Sequence, residues 1–478
     1  MSIDSFFKIS DRGSSIGREI RGGLVTFLTM AYIVVLNPII LSGAKDVTGH
    51  YLGGSTESAN FAGIAAVTAL VAGIMTIAMG VIANYPLALA AGLGLNAFVG
   101  YSLIHEMSWA DAMGLIVIEG LIILVLVLTG FRQAVFDAVP RQIKTAIAVG
   151  IGLFIAFVGL VDAGFIRSTG QESPPIGMGI GGNLAGWPVL VFCVGFLLMM
   201  ILYARKVPGA ILIGIVATTI LAAIVNKFAA PGASMENGEP NPTGWNLNIP
   251  AWPDKVFSLP DLEILGNFSL LGSFERVGVV TAALFIFTLL LADFFDTMGT
   301  MTAIGAEADL LDEDGTPVNS QRILVVDSVA AAAGGAASVS SNTSFIESAS
   351  GVGDGARTGL SSVVTGLLFL LAVFFTPLVE HIPNEAAVPA LVLVGFLMMQ
   401  QVTDIDWADI EIAIPAFLTI VLMPLAYSIT AGIGAGFVTY VILKIARGKI
   451  KDVHSLLWVV SVLFVVYFAI DPISNWLS

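Results

Sequence analysis

The sequence predicts an all-α polytopic membrane protein of about fourteen transmembrane segments, built as two inverted repeats of seven with half-helices at the third and tenth positions. Three observations carry this expectation. Apolar runs of eighteen or more residues recur from one end of the 478-residue chain to the other. Hydrophobic residues make up 56% of the chain and charged residues only 12%, whereas a soluble domain is about a quarter charged, so no sizeable soluble domain fits. Two short segments rich in small residues interrupt the pattern at matching places, LALAAGLGLNAFVG at 87–100 and SNTSFIESASGVGDG at 341–355.

The elements follow in order. The polar stretch 1–21 holds Lys8, Arg12, Arg18 and Arg21 and shows no small-residue cleavage site after a short apolar core, so it does not read as a signal peptide. Spans are then expected near 23–43, 60–82, 87–100, 110–130, 142–161, 186–204 and 208–226. A connection rich in Pro, Asn and Gly occupies 229–275. Seven further spans fall near 279–305, 323–338, 341–355, 359–378, 387–402, 412–427 and 429–446. A last apolar segment, 455–471, follows Lys444, Arg447, Lys449 and Lys451 and reads as an appended element.

Charge sets the orientation. With the N-terminus in the cytoplasm, fifteen of the twenty Lys and Arg residues lie on inside loops, Arg132, Arg141, Lys144, Arg205, Lys206, Arg322 and Arg357 among them. Lys45, Arg167, Lys227, Lys255 and Arg276 remain outside, in keeping with the positive-inside bias. Seven is odd, so the second half starts on the opposite side and the repeats are inverted. Paired, Gly-interrupted short segments in two inverted halves point to a transporter binding site, because a half-helix that ends at the midplane needs a cavity shielded from lipid.

Composition excludes several other functions. The net charge of −15 opposes nucleic-acid binding, and a single cysteine, Cys193, with four scattered histidines offers neither a disulfide framework nor a metal site. No cofactor motif is present.

Ionisable side chains at bilayer depth cost at least about 2.5–3.5 kcal/mol and ask for a role. Asp293 and Asp296 lie in LLLADFFDTMGTMTAIG, Asp327 in ILVVDSVAAAAGG, Glu347 in SFIESASGV and Glu119 in LIVIEGLIILVLV, and none of these spans contains Lys or Arg. Acids without a cation partner are candidates to hold a proton or to meet a bound ion or ligand. Asp293 and Asp296, three apart, read as one helix face able to share a proton, or as caps of a broken helix. Asp327 reads either as a coupling acid or as a tie to the short tenth segment. Glu119 reads as an interhelical hydrogen-bonding group. Asn96, in GLGLNAFVG, offers a donor and an acceptor as a heterocyclic base edge does. Ser340, Ser341, Asn342, Thr343 and Ser344 precede Glu347 as a polar extended stretch that runs into a half-helix, and Phe294, Phe295 and Phe345 can stack on a flat ligand or simply pack in the core.

Gly351-Val352-Gly353-Asp354 and Pro389-Ala390-Leu391 match short motifs of intramembrane aspartyl proteases, yet no Tyr in the chain is followed by Asp, the partner those enzymes need. Longer motifs point elsewhere. TMAYIVVLNP at 29–38, GLGLNAFV at 92–99, ADFFDTMGT at 292–300 and SFIESASGVGDGARTGL at 344–360 resemble the AzgA-like purine permeases of the nucleobase/ascorbate transporter superfamily. The resemblance implies a core domain in 1–130 and 279–380, a gate domain in 131–228 and 381–446, an outside connection at 229–278 and an appended segment at 447–478. It also implies proton-driven uptake of adenine, guanine or hypoxanthine across the inner or plasma membrane, by a lipid-embedded protein often dimeric through the gate. Purine contacts fall by motif position on Asn96, Asp293 and Glu347, with Phe294, Ser344 and Phe345 beside them. Asp296 becomes the nearby acid essential to transport and Asp327 the acid bracing the tenth segment. Asp293 and Asp296 both remain open as the one that faces the base. An anion carrier on the same fold is the competing reading; its site would be expected to present helix dipoles and a cation, not carboxylates.

Overall fold

A computed structural model describes residues 2–130, 139–171, 173–236, 239–313 and 316–469. Arg132, counted above among the inside cations, and the end of the appended segment lie outside the described residues.

Among the described residues, ten helical stretches are long and apolar enough to cross a membrane, and Ile410–Leu425 and Ser455–Phe468 are shorter apolar helices. A short helix α1 (Ile3–Phe7) precedes α2 (Ile16–Met30) and α3 (Ile33–Ser42), which form one broken span. Helix α4 (Phe61–Ala78) runs into a π turn at Met79–Ala83. Strand β1 (Leu89–Ala91) and the nine-residue α5 (Leu93–Tyr101) follow, then α6 (Trp109–Thr129), α7 (Arg141–Asp162), α8 (Trp187–Ala204) and α9 (Ala210–Ala229). After the connection come the long α10 (Gly272–Glu307), α11 (Ser320–Ala336), strand β2 (Asn342–Ser344) and the six-residue α12 (Ser348–Gly353). The chain ends through α13 (Gly359–Ala372), α14 (Asn384–Ala387), α15 (Pro389–Met399), α16 (Ile410–Leu425), α17 (Ile429–Ala446) and α18 (Ser455–Phe468). At about 1.5 Å per residue α18 reaches about 21 Å, short of a hydrocarbon core of about 30 Å.

Helix starts follow local chemistry. Ser15, Asn60, Ser108, Thr358 and Ser428 each cap a helix by accepting a backbone N–H with the side chain, satisfying one of the donors that every helix start leaves free. Between helices, glycine permits close approach. A methyl at Gly359 would sit 2.0 Å from the carbonyl oxygen of Gly80, and one at Gly80 would sit 2.3 Å from that of Gly359. Gly73 and Gly366 repeat this contact between α4 and α13, Gly120 meets Ala332 between α6 and α11, and Gly152 meets Gly395 between α7 and α15. Small residues of this kind let apolar helices gain dispersion contacts where lipid gives no hydrophobic driving force.

Packing divides the helices. α2, α3, α4, α6, α10, α11, α12 and α13 contact one another, while α7 packs on α15 and α16, α16 on α17, and α8 on α9. The outward faces of α8 and α9 show Leu190, Val194, Leu197, Ile201, Ile213, Val216, Ile220 and Ile224, as lipid-facing surfaces require.

The two short segments meet inside the first group. β1 and β2 pair antiparallel, Leu89 opposite Ser344 and Ala91 opposite Asn342. Every residue of both strands is buried. Their ladder satisfies backbone groups that would otherwise be unpaired at bilayer depth. The tenth segment, expected as a polar extended stretch running into a half-helix, is strand over Asn342–Ser344 and helix over Ser348–Gly353.

Substituting Gly359 by Ala forces the α4–α13 contact apart and is expected to lower stability by about 1–3 kcal/mol, read as a fall in the apparent melting temperature of the detergent-purified protein. Gly17→Ala, where an added methyl meets nothing within 4 Å, is the control and leaves it unchanged.

Candidate functional site

Asn96 sits in the second turn of α5, fully buried, and neither atom of its amide has a hydrogen-bond partner in the protein. A methyl at Gly92 would lie 2.7 Å from Thr343 of β2, and one at Gly94 would lie 2.8 Å from Ile151 of α7. The half-helix is thus pressed between the opposing strand and a helix of the second packing group. On the other broken segment, Glu347 stands just before α12 and is half-buried. The hydroxyl of Tyr32, from the break between α2 and α3, donates to Glu347 Oε1, and Thr29 Oγ1 donates to the Glu347 carbonyl at 3.4 Å.

The long helix α10 supplies two acids with different surroundings. Asp293 is fully buried, neither carboxylate oxygen has a hydrogen bond of normal geometry, and it faces Glu119 of α6 and Thr343 of β2. Asp296 is exposed, and its charged neighbour is Glu347. Three residues turn an α-helix through about 300°, so the two side chains lie about 60° apart as neighbours on one face, Asp293 buried and Asp296 exposed. Phe294 is buried beside Asp293, edge-on to Phe295 at 5.9 Å, and Lys144 of α7 places its ammonium 4.6 Å from the Phe295 ring. Phe345 is buried one residue after β2.

Asp327 of α11 accepts from Thr297 Oγ1 and from Ser344 Oγ, each at 2.8 Å, and the hydroxyls of Thr297 and Thr343 lie 2.9 Å apart. These contacts tie α10, α11 and β2 together. Ser344 thus donates its hydroxyl proton to Asp327 and keeps the oxygen as an acceptor. Glu119 is fully buried, with Ser341 Oγ 3.4 Å from its Oε2. Among the described residues, every ion pair lies elsewhere than on these five acids, and no group of His, Cys, Asp and Glu is placed to hold a metal ion. Asp354, the protease-like acid, pairs instead with Arg21 at the end of α12.

The sequence reading missed Tyr32 and Thr297. A tyrosine in an apolar run and a threonine in a helix carry no pattern that marks them; only the fold brings them to the acids.

Comparison with known proteins decides the family. Residues 17–435 match the Xan_ur_permease model of the Permease family. The chain belongs to this family of nucleobase/ascorbate transporters. The permease is 37% identical to the guanine/hypoxanthine permease PbuG of Bacillus subtilis over 98% of its own chain and 99% of that protein. It is 35% identical to the adenine permease AdeP of Escherichia coli, over 97% and 95%. Its fold resembles the transmembrane domain of the cyanobacterial bicarbonate transporter BicA, with a TM-score of 0.59 at 15% identity, covering 87% of the permease and 97% of that domain. It also resembles the inward-facing murine anion transporter Slc26a9, with a TM-score of 0.60 at 12% identity over 90% and 69%. The permease is a multi-pass membrane transporter and not an enzyme.

Asp327→Ala leaves the Ser344 hydroxyl buried without its acceptor and is expected to cost about 1–3 kcal/mol, with Asp327→Asn milder because the amide keeps one acceptor oxygen. Apparent melting temperatures of the purified variants, in the order wild type, Asn, Ala, check this.

Proposed function

We propose that this permease imports purine nucleobases by proton symport. The reading is carried by a fully buried amide without a protein partner, Asn96, on a segment whose strand pairs with the strand leading to Glu347; the buried carboxylate of Asp293 lies on the neighbouring helix α10. An amide donates and accepts, a carboxylate accepts ring N–H groups, and a purine edge presents both kinds of group. Relatives named as guanine/hypoxanthine and adenine permeases at 35–37% identity support the substrate class.

In this reading the chain forms fourteen segments in two inverted repeats, with the N-terminus on the cytoplasmic side of the cell membrane. The first packing group, in 1–130 and 279–380, is a core that carries the site. The second, in 131–228 and 381–446, is a gate through which two copies associate. A proton resides on the Asp293, Asp296 and Glu347 set when the base enters, with Asp327 holding β2 in place for it. Phe294 and Phe345 wall the base. Core and gate then move against each other and release both inward. Tyr101, at the far end of the half-helix from Asn96, donates to Asp162 of α7 at 2.9 Å. That bond links the core element holding the amide to the gate, so it is a contact the motion has to break.

The solved structures named as bicarbonate and anion transporters share the fold alone. Carboxylates without cations disfavour a bound anion, and that argues against reading this chain as one of them.

Thermal stabilisation of the purified protein by guanine, hypoxanthine, adenine, xanthine, uracil, sulfate and bicarbonate tests the reading. A ligand at 100 times its Kd stabilises by about 2.7 kcal/mol, so a micromolar base is visible. A purine shift that disappears in Asn96→Ala and Glu347→Gln is expected; a shift with sulfate or bicarbonate and none with purines overturns it. In proteoliposomes, an inward proton gradient is expected to drive purine accumulation by the wild type, and Glu347→Gln is expected to abolish it.

A further inference from the structure

We infer that Tyr32 is a positioning residue for purine binding, fixing the carboxylate of Glu347 so that its free oxygen faces the incoming base. The inference rests on the reading that Glu347 contacts the purine, and it adds a residue from the first span, where no charged group marks a role.

The geometry is specific. Tyr32 is almost completely buried, and its hydroxyl donates to Glu347 Oε1. The Glu347 main chain is held separately, its carbonyl accepting from Thr29 Oγ1. A glutamate at the start of a six-residue helix has three side-chain torsions to order, and freezing long side chains costs conformational entropy. A fixed donor on one oxygen removes most of that freedom before the ligand arrives, which is how preorganisation raises affinity. A hydrogen bond to an ionised acceptor is about twice as strong as one between neutral groups, so the phenol also favours the acceptor form of the carboxylate that a ring N–H needs.

A purely architectural role for Tyr32 is less economical. The α2–α12 contact is already made by glycine: a methyl at Gly351 would sit 2.2 Å from Thr26 Oγ1, and one at Gly22 would sit 2.8 Å from the Gly351 carbonyl oxygen. Those helices stay in register without the phenol hydroxyl. What the hydroxyl determines is where the Glu347 carboxylate points.

The test is a double-mutant cycle on the full-length protein in detergent, with radiolabelled hypoxanthine, guanine and adenine as probes. Tyr32→Phe is expected to weaken binding of the bound purine about tenfold, the size of one lost hydrogen bond to a charged group. In proteoliposomes KM is expected to rise while kcat changes little. In a Glu347→Asp background, where the shorter side chain draws the carboxylate away from the phenol, the same substitution is expected to add nothing, because its effect passes through the oxygen that the phenol holds. An unchanged affinity in Tyr32→Phe, or the same weakening in both backgrounds, overturns the inference while leaving purine transport intact. A wild type that binds none of the three bases overturns the functional reading itself. If Tyr32→Phe does not purify as a folded, monodisperse protein, Tyr32→His, which keeps a ring donor, takes its place, and its weakening has to vanish in the same background.

Discussion

Backbone that leaves the helix at bilayer depth has to find partners inside the protein, and in this permease it finds them in one place. The three-residue ladder between Leu89–Ala91 and Asn342–Ser344 lets two segments, far apart in sequence, both stop short of crossing. Everything with chemical character depends on that pairing. α5, which carries Asn96, and α12, which Glu347 precedes, each follow one strand of the ladder, and Asp327 reaches Ser344 because the strand holds it there. The helices around the ladder pack through glycine, so the crossing is rigidly framed while little side-chain volume intrudes on it.

The same crossing explains how several acids are tolerated. Asp327 accepts two hydroxyls and is satisfied without a cation. Glu347 is held by a phenol on one oxygen. Asp293, buried against Glu119, lacks any bond of normal geometry, and Asp296 is exposed. The set grades from braced to unsatisfied, and the unsatisfied members are those a proton and a purine would complete. Polar groups retained in apolar surroundings without partners are costly, so the cost is set against function.

Much of the architecture was legible in the sequence because hydrophobic length and charge asymmetry are strong signals at membrane depth. The paired small-residue segments at 87–100 and 341–355 located the crossing, and the polar stretch before Glu347 read as extended. Two things were not legible. The pairing partner of Asn342–Ser344 lies more than two hundred residues away, which no local propensity encodes. Tyr32 looked like one more aromatic in TMAYIVVLNP, and only the fold shows that its hydroxyl ends on a carboxylate.

The central claim is that the crossing of the two broken segments is where a purine sits. A structure of the permease in detergent or nanodiscs, determined with saturating guanine, hypoxanthine or adenine, tests it most directly. The account predicts density for the base between α5 and the start of α12, in contact with the amide of Asn96 and the carboxylate of Glu347. Density for the base elsewhere, with the crossing unchanged, would contradict it.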